Sequence, residues 1–565
     1  MRNLYSLQTY FTRDLINQYT QVDSTGKATY PIPRGGILDE TITGYDANNV
    51  RLQLSYDHAL GSDHRLTAIL GTELRDVEMR TNTNRIYGYD AVRQNGSALN
   101  YSTLYRLYNS PGVSSKVPNP DHLTLNSDRY LSYYFNGAYT YKGRYILSAS
   151  VRRDESNLFA VDVNKRGVPL WSAGAAWDLS KEDFYQVDWL PFLKLRVTEG
   201  YNGNVDRSVS AYTTALINTG TNAYGAPVAS INNPPNPTLR WERINIFNVG
   251  IDFGTRNDRV GGSLEYYIKE GKDLIGQIPV DPTTGNLVFT GNTADMKAHG
   301  IDLNLHINNT LGAFRWNSTI LFSFVRDRVT NYAQKLGAIK NYLNAGSINP
   351  LRGNPLYSIY ALKWEGLDPQ NGDPQGLLGG HVSKDYSSIY NSVNTENLLY
   401  KGPANPPFFG SLRNDLYWKQ FGLSFNIIYK FGYYFRRNSI QYNFLFAGQS
   451  EGHPDYDRRW QKPGDEQRTY VPSRIYPVDQ SRDDFYAYSE VLIEKGDHIR
   501  LQDLQLSYDL PKKTFARLPL QMVRFYCYAN NIGILWKANH QGIDPDNVLS
   551  IPNPRTIALG LKLEF

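Results

Sequence analysis

The sequence of 565 residues holds one cysteine, Cys527, and four methionines. A disulfide framework is excluded, and so are zinc and iron–sulfur sites assembled from thiolates. Net charge is nearly absent: 59 Lys and Arg stand against 54 Asp and Glu, a formal +5. That surplus is too small to build a nucleic-acid surface. Long apolar runs are missing too. The longest, Phe525–Ala529, is only five residues, and mean hydropathy is −0.49, so no helix of about 20 apolar residues is available to span a bilayer. Yet 41% of residues are hydrophobic and 20% charged, a balance that a disordered chain does not have. The opening Met1–Leu7 does not pass from basic residues into an apolar core, so no signal peptide is expected there. No Ser/Gly-rich linker or shift in composition marks a boundary, and one repetitive domain over residues 1–565 is expected.

What is plentiful is aromatic: 43 Tyr against 23 Phe and 9 Trp. Tyrosine suits places where one end of the ring is dry and the other wet, such as membrane interfaces and ligand-stacking surfaces. Equally plentiful is period-two alternation, the mark of strands with one apolar face. Val50, Leu52, Leu54 and Tyr56 alternate with Arg51, Gln53, Ser55 and Asp57, and after a turn at Gly61–His64 the pattern resumes in Leu66, Ala68 and Leu70. Phe247, Val249, Ile251 and Phe253 repeat it, as do Ile301–Ile307, Leu412–Trp418, Leu423–Phe431 and the final Ile557, Leu559, Leu561, Leu563 and Phe565. Less regular stretches lie at Leu4–Tyr10, Leu356–Trp364, Leu377–Tyr386, Ile499–Leu510 and Val523–Ala529. The chain therefore reads as all-β, with about eighteen strands of roughly ten residues. A phase switch near Gln502–Asp503 predicts a β-bulge.

Connections alternate between short and long. Short turns near 61–64, 142–144, 254–258, 308–313, 366–375 and 419–420 alternate with long loops near 11–49, 76–128, 204–238, 326–355, 387–407 and 434–497. That asymmetry belongs to transmembrane antiparallel β-barrels, with short turns in the periplasm and long loops outside. Tyr56, Trp177, Tyr201, Trp316, Trp364, Trp418 and Phe565 close strands where lipid interfaces are expected, and Phe565 is the C-terminal aromatic expected to guide barrel assembly.

Several strings taken in order resemble the SusC/RagA family of TonB-dependent outer-membrane transporters of Bacteroidetes-type bacteria. They are LSASVRRDESNLF (Leu147–Phe159), WSAGAAWDLSKEDFY (Trp171–Tyr185), FLKLRVTEGYNGN (Phe192–Asn204), NPTLRWERINIFNVGIDFG (Asn236–Gly254), GLDPQNGDPQG (Gly366–Gly376), GDHIRLQDLQLSYDLP (Gly496–Pro511) and the terminal ALGLKLEF. The resemblance runs nearly the whole length of the chain. The resemblance implies a barrel of about 22 strands, plugged by an N-terminal domain, opened by the TonB complex and lidded by a SusD-like lipoprotein that captures glycan or peptide. No TonB box or plug is read in these residues, and about four strands are lacking. The chain is accordingly expected to be the C-terminal, partial barrel of a longer protein in a Gram-negative outer membrane.

Catalytic patterns are not found. There is no HExxH, P-loop, GxGxxG or GxSxG in a suitable setting. Asp154 and Glu155 are adjacent, so strand geometry points them apart, and they do not make a glycosidase pair. Asp368–Asp373 lacks the distal glutamate of a calcium loop and reads as a turn, while His306 and His381 read as polar-face residues. No enzyme activity, metal or cofactor is expected. Arg51, Arg65, Arg75, Arg152, Lys194, Arg196 and Lys562, with Asp57, Glu73, Asp252, Asp302 and Glu564, are expected to line a polar interior. Substrate is expected to meet the long loops, where Tyr101, Tyr105, Tyr108, Tyr224, Tyr342, Tyr433 and Tyr434 offer stacking faces. Outer-membrane lipids, the lipoprotein, the TonB complex and an oligosaccharide or peptide are the expected partners. A passive porin or adhesin barrel is the alternative, and a soluble glycan-binding β-repeat a more distant one.

Overall fold

The computed structural model describes the chain except residues 158–166, 205–208, 222–226, 237–238, 280, 282, 284–287, 334–336, 344–349, 394, 449–451, 516 and 549–551. Sixteen strands hydrogen-bond in chain order into one sheet. They are β1 (Arg2–Tyr5), β2 (Gly36–Leu60), β3 (His64–Tyr89), β4 (His122–Tyr141), β5 (Tyr145–Ser156), β6 (Gly167–Asp178), β7 (Phe192–Asn204) and β8 (Glu242–Gly254). The second half is β9 (Val260–Pro279), β10 (Val288–Leu311), β11 (Phe314–Tyr332), β12 (Phe408–Trp418), β13 (Phe421–Phe431), β14 (His498–Asp509), β15 (Met522–Lys537) and β16 (Thr556–Glu564). The chain forms two compact units, one of residues 1–54, 70–134 and 153–158, the other of residues 55–69, 135–152 and 159–565.

The alternation read from the sequence is the alternation of the two sheet faces. On one face large apolar side chains stand open: Leu54 is 70% exposed and Leu559 is 82% exposed. Rows of leucine this open cost about 25 cal/mol per Å² in water, a cost that a lipid surround removes. The opposite face is ion-paired. Arg51 of β2 reaches Glu73 of β3 at 3.2 Å, Arg65 meets Asp57 at 2.8 Å, and Arg196 of β7 holds both Asp252 of β8 and Glu265 of β9 at 2.8 Å. Arg75 donates to the Tyr45 hydroxyl at 3.2 Å, and Lys562 pairs with Glu564 at 2.6 Å. The expected bulge is present, because Asp503 and Leu501 pair with consecutive residues Asn426 and Ile427 of β13 and Gln502 is skipped.

Two expected wall strands are not in the sheet. Leu356–Trp364 contributes only Ser358–Leu362, paired with Leu398–Pro403, and Leu377–Tyr386 becomes a small hairpin of Gly376–Leu378 with His381–Ser383. The physical reasons are visible in the residues. Ile359, Tyr360, Ala361 and Leu362 are all buried, so the run packs on both sides and does not alternate as a wall strand must. Gly379 and Gly380 both take positive φ, +58° and +81°, and turn the chain back at once. The loss is of two strands, so the alternation of short turns and long loops survives and could not reveal the error. Its consequence is that the Gly366–Gln375 turn sits among the long loops, not among the short turns. Trp364, expected at a lipid interface, stacks instead on Phe485 at 6.3 Å. The long loop expected near 11–49 also shrinks, since β2 begins at Gly36 and a helix, α1 (Tyr10–Tyr19), precedes it.

Candidate functional site

The long loops of each unit form a surface of their own, and the two differ. In the larger unit, residues 333–407 and 432–497 fold into packed layers of their own. Ile339, Tyr342, Leu343, Tyr360, Leu362, Tyr386, Ile389 and Phe485 make one apolar core. Ile440, Tyr442, Val471, Tyr486 and Leu492 make a second, and Trp364 packs against both. Buried arginines inside are held by partners both near and far along the chain. Arg482, 2% exposed, donates to Asp373 at 2.9 Å and to the Ser473 carbonyl at 2.8 Å. Arg437 pairs with Asp455 at 2.6 Å, and Ser439 donates to the same carboxylate at 2.6 Å. Arg436 has no carboxylate but donates to the carbonyls of Leu343 and Tyr360 and lies over the Tyr488 ring. Burial, which disfavours its charge, pulls its pKa down to about 10.

This packing takes up three of the seven tyrosines expected to meet substrate. Tyr342 is buried in the first core. Tyr433 is buried with its hydroxyl 3.2 Å from His498 Nδ1, and burial raises its pKa. Half-buried Tyr434 lies so close to Gly402 that a Cβ there would fall 2.4 Å from its ring, at a φ of +146° that L side chains rarely adopt. Tyr224 lies outside the described residues. The acidic turn is likewise occupied: Asp368 accepts from Lys384 at 2.6 Å, and Asp373 is held by Arg482. Hydrogen bonding to Lys384 holds the Asp368 carboxyl below its ordinary pKa. Glu155 is paired with Arg153 at 2.8 Å. His306 faces the Thr319 hydroxyl at 3.4 Å, and His381 is exposed in its hairpin. Among the described residues, no group of three or more His, Cys, Asp and Glu is placed to hold a metal ion.

The smaller unit differs. Its loops, 6–35 and 90–121, pack around Ile16, Tyr19, Ile32, Ile37, Tyr87 and Val117. Helix α1 starts at Thr9, whose hydroxyl accepts from the Thr12 amide at 3.4 Å, and it buries Thr12, Ile16 and Tyr19. Tyr101 and Tyr105 join this core, the first 6.4 Å from Tyr87 and the second edge-on to Tyr19 at 6.4 Å. Tyr108 stays 63% exposed and lines a cleft of about 810 Å³. The other walls are Leu7, Gln8, Arg13, Ile16, Asn17, Thr20, Val22, Ala28, Tyr30 and Arg34. Of the six singled-out tyrosines among the described residues, Tyr108 lines this cleft. The remaining cleft residues escaped sequence reading because the Tyr10–Tyr19 segment was not read as a helix. A signal existed: Arg13, Asn17 and Thr20 fall on one row at helical spacing, with Thr12, Ile16 and Tyr19 on the row beside it.

Comparison with known proteins follows the architecture. A family model described as the TonB dependent receptor-like β-barrel matches residues 2–532. TonB-dependent receptor P26 of Formosa agariphila is 24% identical over 560 residues, covering 91% of this chain and 52% of its own length. TonB-dependent receptor SusC of Bacteroides thetaiotaomicron is 23% identical over 335 residues, 56% of this chain and 32% of its own. The RagAB peptide transporter structure superposes with a TM-score of 0.74 at 21% identity, covering 94% of this chain and 56% of that one. The fold is thus an all-β antiparallel barrel fold, and the chain spans about half the length of the curated relatives it matches.

Proposed function

The chain belongs to the TonB-dependent receptor-like β-barrel family, and from that premise we propose that residues 1–565 supply barrel wall and outer loops to an importer in the outer membrane. The observation that carries this reading is the division of labour between sheet faces: open leucines on one, paired charges such as Arg196 with Asp252 and Glu265 on the other. Such a wall keeps a polar interior stable beside lipid, and the interior can guide a hydrophilic solute. Import is energised by the TonB complex. A SusD-like surface lipoprotein lids the loops, a role supported by the internal cores of the larger loop layer, which give a partner a stiff platform. The cargo is a peptide or oligosaccharide, and the chain performs no chemistry on it.

The test is uptake of fluorescent peptides and oligosaccharides by cells carrying the intact protein, with and without the inner-membrane energy transducer. Uptake is expected to vanish with the transducer. Undiminished uptake overturns the energised reading and leaves a passive pore.

A further inference from the structure

The cleft of the smaller unit brings two cations together without an acid in its lining. Two guanidinium groups, Arg13 and Arg34, line it, and none of its lining residues is an acid. Among the described residues, Arg13 has no side-chain partner, and Arg34 has only Tyr30, donating to its hydroxyl at 2.6 Å and lying 4.3 Å from its ring centroid. Acids nearby in sequence have other partners: Asp39 pairs with Arg85 and Glu40 with Arg2. Asp14 accepts from the Gln18 amide at 3.0 Å, and Asp23 accepts from Thr25 and the Lys27 amide in its own turn. Other arginines of this chain are paired with carboxylates, as Arg85 is with Asp39 at 2.6 Å, or bonded to carbonyls, as Arg436 is. Two unpaired guanidiniums facing one cavity suit a ligand with two acidic groups, because each offers a planar fork of donors to a carboxylate.

The rest of the lining narrows the class. Leu7, Ile16, Val22 and Ala28 present aliphatic surface, while the Gln8 and Asn17 amides offer both donors and acceptors. Arg34 covers one face of Tyr30, while the exposed Tyr108 ring borders the same cleft. Aliphatic pockets beside amides and cations fit a peptide, whose side chains are apolar and acidic by turns and whose backbone bonds amides. We propose that this cleft binds an acidic peptide segment, with Arg13 and Arg34 holding its carboxylates and the aliphatic wall taking its apolar side chains. The proposal rests on the importer reading and names the cargo of one loop surface.

The experiment is fluorescence anisotropy on the full chain in detergent. The probes are a labelled peptide of alternating leucine and glutamate, its glutamine counterpart, and a galacturonate oligomer. The glutamate peptide is expected to bind at least about tenfold more tightly than the glutamine peptide, and Arg13→Ala and Arg34→Ala are each expected to weaken it about tenfold. Arg13→Lys should recover part of the loss, since it restores the charge without the fork. Both arginines are exposed, and an unchanged melting temperature will separate lost binding from lost folding. Equal binding of the two peptides, affinity unchanged in both alanine variants, or preference for the galacturonate oligomer overturns the proposal. The assay needs no energy source. If the cleft discriminates charge but uptake ignores the transducer, only the importer reading falls; if uptake is energised and the cleft is indifferent to charge, only this inference falls.

Discussion

The two loop surfaces use the same residue types to opposite ends. In the larger unit, one set of tyrosines and arginines turns inward: Tyr442 donates to the Pro472 carbonyl at 2.7 Å, and Arg482 and Arg437 are buried with carboxylates. In the smaller unit, Tyr108, Arg13 and Arg34 face an open cleft. A buried arginine whose carboxylate is removed becomes a stranded charge, which is costly, whereas an exposed one stays solvated whether or not a ligand arrives. Partnering therefore separates the arginines that hold the protein together from those available to something else.

The contrast is tested first where the effect is largest. Phe485, fully buried and 5.4 Å from Tyr386, is expected to cost about 3–5 kcal/mol as Phe485→Ala. Limited proteolysis within 333–497 and thermal unfolding will show it. Little change in either would mean that the layer is not cooperatively packed.

Asp455→Ala comes next, at about 3 kcal/mol, because it removes the hydrogen-bonded carboxylate of the buried Arg437 guanidinium and leaves only the longer pair with Glu494 at 3.7 Å. Hydrogen exchange of residues 437–458 measures the loss, and exchange equal to the parent's would show that the pair contributes nothing.

The same carboxylate predicts a pH response. Burial works to raise the pKa of Asp455, but hydrogen bonds from Ser439 and Arg437 outweigh it and hold the group below its ordinary value. A depressed carboxylate contributes stability that is full above the unfolded value, near pH 4, and is lost as pH falls through the folded one. Exchange in this segment should rise below about pH 4, and Asp455→Asn should abolish that part of the rise. A variant that keeps the parent's full acid response would assign it to other groups.

The smallest expected effect sharpens the other side. Tyr108→Ala should leave stability within about 0.5 kcal/mol, since its ring packs in no core. A loss as large as that of Phe485→Ala would mean that the two surfaces do not differ as described.

Much of this was open to reading in one dimension. The wall strands declared themselves because a lipid face and a polar face force strict alternation, and the bulge at Gln502 declared itself by breaking phase. The hairpin turns at Gly61 and Lys419, both at positive φ, lay where the alternation stopped. The run Ile359–Leu362 and the pair Gly379–Gly380 misled, since a short apolar run reads the same whether it lines a wall or packs inside a loop.

Side-chain period and turn chemistry are local, so the amino-acid order alone determined an all-β chain, its alternating faces and the unequal length of its connections. Which loop tyrosines are buried, which arginines meet carboxylates and which line a cleft was decided only by tertiary structure. Asp373 and Arg482 are 109 residues apart, and no pattern within a strand or turn announces that two such groups will meet.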